Sequence, residues 1–105
     1  MKKRKKHGKS ILQAPGDKSC YLCAMMGRSF RGYTEKHHIF PGPNRIVSEE
    51  LGFWCRLCVP HHREGPSAAH QNAEIMRYLQ QQAQREFEKT HSREEFVAHI
   101  GRNYL

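Results

Sequence analysis

A chain of 105 residues, 37% of them hydrophobic, makes one small domain with a thin core, the size at which a bound metal becomes an effective staple. The net charge of +8 is unevenly spread: Lys2, Lys3, Arg4, Lys5, Lys6 and Lys9 carry six positive charges with no acid among them, and the remaining twelve basic and ten acidic residues leave only +2. Attraction to polyanions is therefore expected in the tail rather than over a whole face. With no apolar run behind that tail and none approaching the roughly 20 residues a bilayer requires, neither a secretory leader nor a membrane span is expected. A cytosolic location follows, where four cysteines are expected as thiolate ligands rather than disulfides.

In chain order, residues 1–16 read as a disordered basic arm closed by the turn "APGD", and residues 17–105 as one folded domain. "CYLC" reads as a metal knuckle, because Cys20 and Cys23 can face one ion across a tight turn. After "AMMGRSFRGY", the run "TEKHHIF" is expected as a strand entering the loop "PGPNR". "GFWCRLC" is the second strand, bounded by Gly52 and Pro60, and its alternation puts Phe53, Cys55 and Leu57 on one buried face. Ile75, Leu79, Ala83 and Phe87 recur every fourth residue within an amphipathic helix over about 68–89. A shorter helix follows: Ser92 caps it, Glu95 can reciprocate, Gly101 stops it, and Phe96, Val97 and Ile100 form its buried side. The fold class is small α+β with C-terminal helices.

A closed zinc site needs four protein ligands. Cys20 and Cys23 supply half; the other half is Cys58 with His61 or Cys55 with Cys58, pairs with the same gap. Cys55 lies on the apolar face of its strand, whereas Cys58 sits where "VP" breaks the strand and can turn His61 toward it, so Cys20, Cys23, Cys58 and His61 are the favoured set and four cysteines the alternative. His37, His38, His62 and His70 are then left over. A divalent ion held by a few imidazoles, with one more imidazole free to take a proton near neutral pH, is a hydrolytic arrangement. Arg45 and Arg63 are candidate phosphate contacts.

The motifs "CYLC", "EKHHIF" and "LCVPHH", with His70 behind them, resemble the HNH endonucleases over about residues 20–75. The chain also resembles the small HNH proteins of bacteriophages, down to its ending in a helix and "GRNYL". The resemblance implies a zinc-braced ββα-metal core, hydrolysis of phosphodiester bonds in DNA, and a catalytic Mg²⁺, Mn²⁺ or other divalent ion beside the structural Zn²⁺. It implies His37, His62 and His70 as ligands of that ion and His38 as general base. The family's middle Asn would fall near Phe53, where there is none, and Asn44 is the substitute candidate. Typical members space the last two ligands one helical turn apart; here "REGPSAA" intervenes, so His70 is expected to reach the ion from a fresh helix start. With no evident base-reading helix, DNA is the expected partner and another phage or host DNA-processing protein a selector of the target, in the cytoplasm of a bacterial host. The competing class is a non-catalytic zinc module that binds nucleic acid or protein, and a second metal equivalent separates the two.

Overall fold

Two strands of four residues, β1 (Glu35–His38) and β2 (Trp54–Leu57), pair antiparallel with Glu35 opposite Leu57 and His38 opposite Trp54. The computed structural model describes residues 7–105. Around this hairpin lie α1 (Tyr21–Met25), α2 (Arg45–Leu51), α3 (Ala73–Phe87) and α4 (Arg93–Ile100), so the described residues form a small α+β body on one two-stranded sheet. A two-stranded sheet is marginal by itself, and the helices supply what it lacks.

Both strands form within the segments expected for them, and the second shows the expected alternation. Phe53, Cys55 and Leu57 are fully buried while Trp54 and Arg56 are half-buried. Phe53 packs edge-on against Phe40 and Phe87, at ring-centroid distances of 5.3 and 5.4 Å, with Phe96 at 5.8 Å. Truncating a fully buried aromatic costs about 3–5 kcal/mol. Phe53→Ala should lose that much of its unfolding free energy in denaturant titration.

α3 buries Leu79, Ala83 and Phe87, three of the four residues whose spacing predicts it. It begins later than expected, at Ala73, because the Asn72 side chain accepts from the backbone N–H groups of Glu74 and Ile75 and caps it there. In α4 the expected capping box is complete: Ser92 Oγ accepts from Glu95 N, and the Glu95 carboxylate accepts from Ser92 N. Gly101 ends the helix in the left-handed region, at φ 98°.

Two features depart from the sequence reading. The segment between the strands is not a plain loop: after a 3-10 turn over Gly42–Asn44 it forms α2, whose Val47 and Leu51 pack on the core. The Ser48 hydroxyl, buried in α2, donates to Phe40 O (2.9 Å) and accepts from Phe40 N (3.2 Å), clamping α2 to the end of β1. The second departure concerns the arm. Residues 1–6, with five of its six cations, lie outside the described residues. Residues 7–13 belong to the folded body: Gly8 N donates to Glu49 O (2.7 Å), Ile11 N to Gly52 O (3.0 Å) and Ser10 Oγ to Trp54 O (2.6 Å). Ile11 and Leu12 anchor this stretch against the core, so the free arm expected over residues 1–16 does not extend this far.

Candidate metal centre

The knuckle is held by local backbone geometry. Cys20 caps α1, its Sγ accepting from Cys23 N (3.4 Å), which turns the two thiols toward one side. Beyond β2 the chain enters a wide helical turn over Pro60–Glu64, where His61 N and His62 N both donate to Cys58 O. Helical turns of this π type recur at functional sites. His61 Nδ1 lies 3.4 Å from Cys20 Sγ, 3.4 Å from Cys23 Sγ and 3.3 Å from Cys58 Sγ, and Cys23 Sγ is 3.8 Å from Cys58 Sγ.

These spacings fit a tetrahedral zinc ion. With bonds of about 2.3 Å to sulfur and about 2.0 Å to nitrogen, a tetrahedron sets S···S near 3.8 Å and S···N near 3.5 Å. Burial, together with the neighbouring thiols, pushes Cys23 up to about 12, so a thiolate here requires a cation beside it. Burial holds His61 below its ordinary value, leaving a neutral imidazole with a lone pair to give. Cys55 is fully buried on β2, outside the cluster, and burial pushes its thiol far up.

A second cluster joins His37, His62 and His70. Ring centroids lie 5.2 Å apart for His37–His62, 5.0 Å for His37–His70 and 4.8 Å for His62–His70. His62 Nε2 is 3.1 Å from His70 Nε2. The sequence obstacle to this cluster was the Gly–Pro excursion between His62 and His70. Two backbone bonds remove it: Ala69 N donates to His61 O (2.7 Å) and His70 N to His62 O (3.1 Å). His70 thus reaches the cluster from a turn ahead of α3 rather than from the helix itself.

The electrostatics of the cluster favour a cation. His37 is 1% exposed, and neither of its ring nitrogens has a hydrogen-bond partner among the described residues. Burial first, and the neighbouring His62, His70 and His38 second, depress His37 to about 3, so the ring is neutral at physiological pH. A buried polar group without partners is costly, and a metal ion would satisfy one of the two nitrogens. The His62 Nδ1 faces Glu35 Oε1 at 2.8 Å; with Glu35 ionised, Nδ1 carries the proton and Nε2 presents its lone pair to His70. Arg63 and His62 hold the Glu35 carboxyl down at about 2. A carboxylate behind a histidine fixes the tautomer a ligand needs.

His38 stands apart from both clusters. Strand alternation turns it to the other side of β1, where its Nε2 lies 2.7 Å from Glu49 Oε1 on α2. Glu49 also receives Lys36 Nζ (3.1 Å) and faces His7 Nδ1 (2.9 Å). Burial alone would raise this carboxyl, but the hydrogen bonds to His38, His7 and Lys36 outweigh it and hold the group down at about 2. A depressed carboxyl stabilises the fold at pH values above its ordinary 4.5 and loses that contribution as pH falls through about 2. Glu49→Gln should accordingly melt below the parent at neutral pH and converge on it in strong acid, as read by thermal unfolding at several pH values.

Of the expected phosphate contacts, Arg45 is exposed at the start of α2 and lines an open cleft with Lys36 and His38. Arg63 instead forms a two-point ion pair with Glu35, at 3.0 and 3.2 Å, so its charge is already engaged. Asn44 does not approach His38; its side-chain amide donates to Ile100 O (2.9 Å) and ties α4 to the 3-10 turn. Glu35 and Glu49 are the site residues that sequence reasoning missed. Glu35 carried a faint signal, two positions before His37 on the same strand face. Among the described residues, no helix is long and apolar enough to cross a membrane. No protein-family model, no curated protein and no solved structure matches the chain.

Proposed function

We propose that the protein is a small metal-dependent nuclease of the HNH type, hydrolysing phosphodiester bonds in DNA. The observation that carries this reading is the convergence of His37, His62 and His70, with the His37 nitrogens buried and unpartnered among the described residues, while His38, the next residue in sequence, lines a cleft on the other side of β1. A closed Cys₃His site accounts for structural needs alone; a separate cluster of three imidazoles, one short of a closed four-ligand set, suits chemistry.

In this reading His37, His62 and His70 would hold a divalent ion, a transition metal suiting three imidazoles best, and the ion would supply positive charge to the scissile phosphate and to the leaving oxygen. His38 takes a proton from the attacking water as general base. Glu35 keeps His62 in the ligating tautomer. Arg45, on the rim of the cleft, steadies the phosphate backbone without reading sequence. The zinc cluster braces the turn that carries His62, since His61 and His62 are neighbours.

The test is cleavage of plasmid and single-stranded DNA by purified protein, dialysed and then given magnesium, manganese or nickel. Ion-dependent cleavage and a second bound metal equivalent are expected. A folded, zinc-loaded protein that cuts nothing with any of the three ions would make it a non-catalytic zinc module.

The cationic tail adds affinity rather than chemistry, because none of the proposed ligands lies in it. Deleting residues 2–6 removes five cations. The variant should bind DNA more weakly and with a flatter salt dependence, as measured by titration at several salt concentrations, while its single-turnover rate at saturating DNA matches the parent.

A further inference from the structure

We propose that Glu49 is the positioning residue of the general base: its carboxylate accepts the Nε2–H of His38, fixing both the ring and its tautomer so that Nδ1 presents the lone pair that takes the proton from water. The inference rests on the nuclease reading above and deepens it.

Three observations set this contact apart from an ordinary surface ion pair. The first is its length, 2.7 Å, between partners whose side chains are only 17% and 18% exposed. The second is that Glu49 is itself held in place. Ser48, the preceding residue, clamps α2 to Phe40, two residues beyond His38, through both its donor and its acceptor. The backbone from which Glu49 reaches His38 is thus fixed against the end of β1. The third is the convergence of further donors on the same group. Lys36, on the same face of β1 as His38, reaches both carboxylate oxygens at 3.1 and 3.3 Å while its ammonium sits 4.2 Å from the centre of the Trp54 ring. His7 meets Oε2, and its position follows from Gly8, which donates to Glu49 O and accepts from Trp54 Nε1.

The chemical consequence follows from the two ring nitrogens being distinct. An ionised Glu49 can only accept, so His38 must donate from Nε2. In the neutral ring Nδ1 then holds the lone pair, and no described protein group is hydrogen-bonded to it. A free imidazole would divide itself between two tautomers and several rotamers; the carboxylate removes that freedom before substrate arrives.

The experiment uses the full chain with zinc bound and compares the parent with Glu49→Gln and Glu49→Asp. Nitrogen NMR of the His38 ring in mildly alkaline buffer should show the parent protonated at Nε2, with Glu49→Gln shifted toward a mixture of tautomers. Single-turnover cleavage by Glu49→Gln should fall roughly 10- to 100-fold, the scale of loss seen when the orienting partner of a metal-bound histidine is removed. Its zinc content and its affinity for DNA should match the parent, and Glu49→Asp should fall between the two. A parent ring protonated at Nδ1 would overturn the inference whether or not the variants fold. So would Glu49→Gln cleaving like the parent, and in that outcome the nuclease reading stands. If the parent cuts no DNA with magnesium, manganese or nickel, the nuclease reading fails and the positioning role fails with it.

Discussion

His38→Ala is expected to stay folded, keep its zinc and bind DNA, yet cleave it roughly 10²- to 10⁴-fold more slowly, the usual cost of removing a general base. The side chain is half-buried and touches neither metal cluster, so its loss leaves both ligand sets intact. His37→Ala and His62→Ala should behave differently. Each removes one imidazole from the three-histidine cluster, which should weaken the hold on the proposed catalytic ion and let added metal restore part of the rate. Metal titration of single-turnover cleavage in the three variants separates the roles. Rescue of His38→Ala by metal, with no rescue of His37→Ala, would require that the two roles be exchanged. His38→Ala cleaving as fast as the parent would remove the general-base assignment.

Loss of a zinc ion held by the Cys₃His cluster should have the largest effect on the fold itself. The Cys₃His cluster joins α1 to the turn after β2, two elements far apart in sequence that are individually too short to be stable. Ligand binding free energy is folding free energy in such small domains. A strong chelator, or replacement of Cys20 or Cys58 by alanine, should therefore abolish the cooperative thermal transition and release about one zinc equivalent per chain. Cys55→Ala should keep its zinc, because that thiol lies outside the cluster and is a buried apolar neighbour of Phe53 and Leu57. The comparison is made by metal analysis and circular dichroism on the same samples. Zinc lost from Cys55→Ala but retained by His61→Ala would restore the four-cysteine alternative.

What the amino-acid sequence determined by itself is local. The two-residue gap in "CYLC", the alternation of Phe53, Cys55 and Leu57, the four-residue spacing of Leu79, Ala83 and Phe87, and the Ser92–Glu95 capping box each encode one turn, strand or helix through contacts between near neighbours. The same alternation singled out Cys55 as the cysteine apart from the knuckle, because a strand has only two faces. What only the tertiary structure decided is convergence. Glu49 lies 11 residues from His38 and carries no motif that ties it to the imidazole; the Ser48 clamp holds α2, which carries Glu49, against the end of β1. Residues 7–13 follow a basic run, yet Ile11 and Leu12 pack against the core, and Gly8 and Ile11 bond to Glu49 and Gly52 some forty residues away. His70 is cut off from His62 by a glycine and a proline, and two backbone hydrogen bonds close that gap. Periodicity and capping act over one or two turns of chain, whereas a site built from β1, a turn after β2 and a turn before α3 exists only when strand register and packing have set the distances between them.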